Sequence, residues 1–488
     1  MMQQYYSVVK NPSAVWVNRL MIQPRIDSQY YRTDFVENEY KIEQIGCEKL
    51  GEIIERGDYG VLPDSEDYCE KGVPLIRGTN LRDLTIDDKE VIRVPKDYLT
   101  SKSEIQHRDI LILIKGATID AEWSVAIVPN IRESMIYNGS IFRVRVKTGY
   151  DPYYITAFMS TKYFLLQKTR AISNTGIYYN DKNSLENFMI AIPSPEIQKY
   201  IGDKVRRAEE LREEAKRLEN EINTFFNEKF SDIYNSIDES KVYHSKFTWK
   251  SAENIRDVFN AEYFTLIGDK YEQVIREQKG VYLDDLLKDC FMGKSPSQYA
   301  DKGPKILKVK NLTNGGLDWS DSDHVDKEFY VKNKRCHLQH GDVFIIPAAH
   351  LAKYIGEKVD VYIQGIEGIK YPDAMASGKI IVIRPNFDKV NPIYLCLVMR
   401  EKFVYHQIQR QVSGITASYY PKDVRQLCIP LIEREKQDMV ADKYIEIIKC
   451  KEQAKQLIQE AKQDVDDLIE GDFEMSELNN NSSTESRC

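Results

Sequence analysis

The sequence is short of the features that announce most enzyme classes and membrane proteins. Its apolar runs are brief, and none approaches the roughly 18 residues needed to span a bilayer. The opening MMQQYYSVVKNPSAVWVNRL lacks the basic-then-apolar layout of an export signal, so a cytoplasmic location is expected. Eight cysteines lie scattered with no CxxC pair, and the seven histidines form no cluster. That pattern favours free thiols in a reducing compartment over disulfides or a zinc site. There is no GxxxxGK[ST] loop for ATP and no Gly-rich strand–turn–helix for S-adenosylmethionine. A bare PD…DxK arrangement, Pro63-Asp64 followed by Asp87-Asp88-Lys89, reads as charged turns rather than a core strand presenting metal ligands. The net charge is −8, from 68 Lys+Arg against 76 Asp+Glu, which by itself does not mark a nucleic-acid binder. Net charge averages over faces, however, and part of the acidity belongs to two long helical segments.

What is present is length and pattern. The chain has 488 residues with 42% hydrophobic content, ample for several cores. Residues 196–230 hold no proline and one early glycine, and Ile201, Val205, Ala208, Leu211, Ala215, Leu218 and Ile222 step by three and four. This spacing predicts a helix with a narrow apolar seam, at about 1.5 Å per residue on the order of 45 Å long. Residues 433–470 repeat the pattern, with Val440, Ile447, Ala454, Ala461 and Leu468 seven apart. Each segment follows a proline-bearing strand end, Ile192-Pro193-Ser194-Pro195 and Ile429-Pro430-Leu431.

Shorter motifs also occur twice in one order. Arg25-Ile-Asp-Ser-Gln-Tyr-Tyr31 parallels Val258-Phe-Asn-Ala-Glu-Tyr-Phe264, and Lys71 to Leu81 parallels Lys302 to Leu312. His107-Arg-Asp109 parallels His340-Gly-Asp342, and Gly139 to Val146 parallels Gly378 to Arg384. Asp151-Pro-Tyr-Tyr154 parallels Asn391-Pro-Ile-Tyr394, and Tyr178-Tyr179 parallels Tyr419-Tyr420. Six correspondences in register imply an internal duplication. The runs Ile110 to Ile114, Ile141 to Val146, Val343 to Ile346 and Ile380 to Ile383 read as strands, and the Asp-Pro and Asn-Pro steps as helix starts. The expected class is α+β, two globular domains each closed by a long helix. The expected layout is a lead-in at 1–24, a first domain at 25–195, a helix at 196–230 and a linker at 231–256. A second domain follows at 257–432, a helix at 433–470 and a disordered polar tail at 471–488.

In this order and duplication the chain resembles the specificity subunits of Type I restriction–modification enzymes. The resemblance covers residues 25 to 470 and rests on the doubled R-[IL]-D-x-x-Y-Y, [RK]-x-x-N-[LI] and H-x-D-[IV] elements and on the Ile-Pro steps into the long helices. The first motif is degraded to Val-Phe-Asn in its second copy, and Ile432 replaces the second proline of the second Ile-Pro step. The resemblance implies two target-recognition domains, separated by an antiparallel pair of coiled-coil helices, that read a split, asymmetric sequence in double-stranded DNA. It further implies docking of two modification methyltransferase subunits on the helices, with restriction/translocase subunits as further partners. No cofactor is expected on this chain: S-adenosylmethionine belongs to the methyltransferase, and ATP and Mg to a restriction subunit. No catalysis is expected either. The likeness of the Asp-Pro and Asn-Pro steps to [ND]-P-P-[YFW] methyltransferase motifs is offset by their role as paired helix starts. The competing readings are a bilobed protein-docking scaffold, or a specificity factor of another phage-defence methylation system.

Candidate DNA contacts fall in three paired clusters. Arg77, Thr79 and Asn80 correspond to Lys308, Lys310 and Asn311, combining base-edge readers with phosphate binders. Lys115 and Thr118 correspond to a longer loop with His350, Lys353 and Tyr354. Tyr178, Tyr179 and Lys182 correspond to Tyr419, Tyr420 and Lys422, in stretches whose glycines and hydroxyls suit close approach to a phosphate backbone. Each also has a plainer reading, as solvated loops, a capping Asn and packed tyrosines. Leu211, Leu218, Ile222, Ile447, Ala454 and Leu468 are expected to pack one long helix on the other.

Overall fold

The computed structural model describes residues 6–10, 13–17, 22, 27–88, 91–172, 178–238, 267–313, 316–349, 351–412 and 418–474. Strands and helices are mixed, and the chain divides into two compact units. The first comprises residues 1–213 with 453–488, and the second residues 214–452. The second copy of the Arg25–Tyr31 motif, at 258–264, lies outside the described residues.

The core of the first unit is a four-stranded antiparallel sheet in the order Val125–Ile127, Ile110–Leu113, Ile141–Val146, Ile54–Tyr59. Ile110 to Leu113 is buried throughout, as its unbroken apolar run requires for a strand covered on both faces. Beside the sheet, Ile136–Tyr137 runs parallel to Val73–Ile76. In the second unit the order is Val359–Val361, Val343–Ile345, Ile381–Pro385, Leu287–Met292, again antiparallel. There Ala374–Ala376 runs parallel to Ala300–Leu307.

Several polar contacts of one unit recur in the other. Asp151 caps the helix Pro152–Met159 by accepting from the amides of Tyr153 and Tyr154, at 2.8 and 3.3 Å. Asn391 does the same for Pro392–Met399, accepting from Ile393 and Tyr394 at 2.9 and 3.3 Å. Proline at the first helical position gives up no bond, because that amide has no partner within the helix. Tyr154 and Tyr394 are buried behind these caps, their hydroxyls donating to the carbonyls of Ala191 and Pro430 at 2.9 and 2.7 Å. The Asp-Pro and Asn-Pro steps are therefore caps, with their side chains turned to backbone amides.

The central helix runs Pro195–Lys229 and the terminal helix Arg434–Glu470. Leu211, Leu218, Ile222, Ile447, Ala454 and Leu468 are all buried, as the seam spacing predicts. Within the first unit Lys204 pairs with Asp464 at 2.6 Å. Within the second, Lys443 pairs with Glu221 and Lys451 with Glu219, at 2.5 and 2.6 Å. The expected linker begins instead with a short helix, Ser231–Asn235, whose Ile233 is buried and whose Tyr234 hydroxyl donates to Glu401 at 2.5 Å. The ring of Tyr234 meets Phe403, a partner distant in sequence.

Candidate nucleic-acid interface

In the first unit all three candidate clusters come to the ends of neighbouring strands. Arg77 follows Val73–Ile76, and the Ile76 carbonyl accepts from the Asn138 amide at 2.8 Å. Gly78 lies so close to the end of Ile110–Leu113 that a Cβ there would stand 2.6 Å from Leu113 Cδ1. Lys115, just beyond that strand, forms a bridge with Tyr179, while the Gly116 amide donates to Tyr178 and the Asn180 amide to Ile114, at 3.1 and 3.0 Å. Thr79, Lys115, Thr118 and Lys182 are exposed, Arg77 is half-buried, and Tyr178 and Tyr179 keep 48% and 37% of their surface open. Exposed lysines and hydroxyls at one loop cluster suit phosphate and sugar contacts.

Sequence reasoning missed Tyr59. Its hydroxyl accepts from the Tyr179 hydroxyl at 3.3 Å and from the Lys182 amide at 2.7 Å, and its ring meets Phe142 edge-on. Burial, then the bond with Tyr179, raises its pKa to about 12, so it stays a neutral phenol at working pH. The strand Ile54–Tyr59 reads Ile-Glu-Arg-Gly-Asp-Tyr with no apolar alternation, and nothing local links Tyr59 to Tyr179, 120 positions away.

Two candidates take a different role from the one expected. Asn80 and Asn311 are only 6% and 2% exposed. Asn80 Oδ1 accepts from the Arg77 amide at 3.0 Å and its Nδ2 donates to the Asp87 carbonyl at 3.2 Å. Asn311 repeats both bonds, with the Lys308 amide at 2.9 Å and the Asp318 carbonyl at 2.9 Å. These buried amides close the turn that displays their neighbours, with both ends of each side chain bonded to backbone groups.

Lys308 and Lys310 flank that turn in the second unit. Lys308 Nζ stands 3.0 Å from Asp323 and over the Tyr299 ring, and Lys310 reaches Asp321 at 3.0 Å and Asp323 at 3.2 Å. The bond to Asp321 raises the pKa of Lys310; for Lys308 burial works against the charge, but Asp323 and Tyr299 together outweigh it. Both lysines therefore carry firm positive charges that are partly neutralised by their own unit. Lys353 and Tyr354 are exposed in a one-turn helix, Ala352–Tyr354, and Lys422 is exposed as well. His350 lies outside the described residues.

The tyrosine pairs do not correspond. Tyr179 bridges Lys115 where Ser418 bridges Ala348, and the Asn180 amide donates to Ile114 where the Tyr419 amide donates to Pro347, at 3.0 and 2.8 Å. Tyr419 thus stands where the first unit has Asn180, and Tyr420 where it has Asp181. Tyr419 is 1% exposed and packs inside, whereas Tyr420 is exposed at the start of Pro421–Val424. Two Tyr-Tyr steps fell one position out of register, because the backbone bonds rather than the residue types set the alignment.

No family model matches the chain, and no curated protein does. Solved structures do. One is the S subunit of a Type I restriction–modification system from M. genitalium, 12% identical, with a TM-score of 0.45, covering 88% of this chain and 96% of that one. Another is the HsdS subunit from Thermoanaerobacter tengcongensis, 14% identical, with a TM-score of 0.29, covering 87% and 96%. A third comes from a study of complex assembly in a type I restriction–modification system, 14% identical, with a TM-score of 0.28, covering 88% and 97%. Among the solved structures to which this chain is similar are S subunits of restriction–modification systems, and a type IIG restriction endonuclease, BpuSI, matches over 36% of this chain.

Proposed function

We propose that the chain is the DNA sequence-specificity subunit of a Type I restriction–modification complex, itself without catalytic activity. One observation carries the reading: a single scaffold, with many of its buried bonds repeated, occurs twice and presents different side chains at the same loop positions. The Arg77 turn corresponds to the Lys308 turn, the short Lys115 loop to a longer loop with Lys353 and Tyr354, and Tyr179 to Ser418. Selection for one shared ligand would keep the loops alike; reading two different half-sites requires them to differ. The two units would then bind an asymmetric bipartite target in double-stranded DNA.

The long helices, in this reading, pair antiparallel as a spacer. A 35-residue helix is about 50 Å long, enough to hold two recognition surfaces on half-sites about one duplex turn, 34–36 Å, apart. Their charged outer faces would dock two methyltransferase subunits, which bring S-adenosylmethionine, with a restriction subunit supplying ATP and Mg chemistry.

The test is methylation mapping by long-read sequencing in a host that carries this chain and its methyltransferase partner. A bipartite methylated motif is expected. Replacing residues 258–430 with those of a related protein should change one half of the motif and leave the other; a motif that does not change at all would refute the assignment.

A further inference from the structure

The side chains that present the loops lie on the helix behind them, and here the two units differ. In the first, Lys168 sits on Lys162–Ala171 with its side chain fully buried. Its Nζ donates to the Leu113 carbonyl at 2.9 Å and to Ser124 Oγ at 2.8 Å. Its own carbonyl accepts from Asn180 Nδ2 at 2.9 Å. Leu113 opens the Lys115–Thr118 loop, Ser124 closes it, and Asn180 follows Tyr178 and Tyr179. One residue therefore ties both ends of one candidate loop to the base of another. Beside it, Thr169 Oγ1 reaches Asp120 within the same loop at 3.3 Å.

The second unit holds its loop from the equivalent helix, Lys402–Gln409, by different chemistry. Gln167 and Gln407 fix the alignment, since each binds both the amide and the carbonyl of one strand residue, Met189 and Cys428. Position 168 thus matches Ile408, and 169 matches Gln409. Ile408 is buried against Gly356 at the loop exit, where φ is +83° and a Cβ would come within 2.9 Å of it. Gln409 Nε2 donates to the carbonyls of Ala352 and Ile355 at 3.0 and 2.6 Å, on either side of Lys353 and Tyr354. Tyr405 donates to the carbonyl of Lys353 itself at 2.9 Å.

We propose that Lys168 and Gln409 are positioning residues for specificity: each sets the backbone of the contact loop in its own unit and so the base preference of one half-site. The proposal rests on the specificity-subunit reading. Lys168 Nζ spends two donors on the ends of this loop, and an apolar side chain at 168 would leave the Leu113 carbonyl and Ser124 hydroxyl without their donor. Burial lowers the pKa of Lys168 to about 7, yet the neutral amine still donates, so both loop bonds survive in either protonation state. Grafting a loop from one unit or one relative to another should therefore fail unless its helix residue is transferred with it.

The full chain, Lys168→Met and Gln409→Ala are each expressed with the methyltransferase subunit in a methylation-free host, and methylated motifs are mapped genome-wide. The unaltered chain should give a bipartite motif; if it gives none, the functional reading falls, and this proposal with it. Lys168→Met should relax one half of that motif, with about tenfold more methylation at sites mismatched there, and leave the other half as stringent as before. Gln409→Ala should relax the opposite half. If both variants keep the parental motif, or both loosen the two halves equally, the positioning role is overturned while the functional reading stands. If Lys168→Met does not fold, Gln409→Ala, on a partly exposed position, decides by the same criterion.

Discussion

The carboxylate of Asp109 accepts from both Nε and Nη2 of Arg145, at 2.7 and 2.8 Å, with Asp109 wholly buried. The pair pins the start of Ile110–Leu113 to its neighbour Ile141–Val146. Asp342 and Arg384 repeat it at 2.8 and 2.8 Å. In each, the other bond to the carboxylate comes from the amide three residues before it, Gln106 or Gln339, at 2.8 Å. The His-x-Asp motif thus marks a buried aspartate that closes a turn and receives an arginine fork, the strongest geometry for such a pair.

Asp342→Ala should therefore destabilise the second unit by about 3 kcal/mol, because Arg384 would be left with a largely buried, uncompensated charge. Urea unfolding should show an early transition absent from the parent protein. Unchanged unfolding would mean that the arginine finds another partner.

Asn80→Ala and Asn311→Ala should each cost about 1–3 kcal/mol, since a buried amide and a buried carbonyl lose their partners. Thermal unfolding measures this directly. A variant of full stability with weakened DNA binding would return these residues to the contact surface.

Lys353→Ala acts at an exposed side chain, so stability should hold. If Lys353 meets a phosphate, affinity should fall for matched and mismatched duplexes alike, and the slope of log K against log salt should shrink by about 1. A fall confined to the matched duplex would make Lys353 a base reader instead.

Acid should weaken the first unit through Glu470. Its carboxylate accepts from Lys41 at 2.5 Å and Tyr163 at 2.6 Å, and these bonds, that of Lys41 first, lower its pKa from 4.5 to about 2. A lowered carboxylate pKa means the unfolded chain takes up the proton first. The stabilisation is complete above pH 4.5 and fades as pH falls toward 2. With the side chain 32% exposed, solvent screening holds it to about 1 kcal/mol. The gap in Tm between the parent and Glu470→Gln should accordingly be present at pH 7 and narrow by pH 3; a gap independent of pH would assign it to packing.

Local pattern determined a good deal by itself. The seam residues Leu211, Leu218, Ile222, Ile447, Ala454 and Leu468 declare the long helices, because a 3.6-residue period places them on one face whatever lies opposite. Asp151-Pro and Asn391-Pro declare helix starts for an equally local reason, since the cap bonds reach only two and three residues ahead. The tertiary structure decided which loop residues face outward and what holds them. Asn80 and Asn311 looked like readers until burial turned them into closures; Tyr419 went inside while Tyr420 stayed out. Tyr59, Lys168 and Gln409 join the loops through partners 44 to 123 positions away. Such bonds depend on how strands and helices pack side by side. Periodicity records which face of an element is buried, and it carries no information about which distant backbone group will be waiting there.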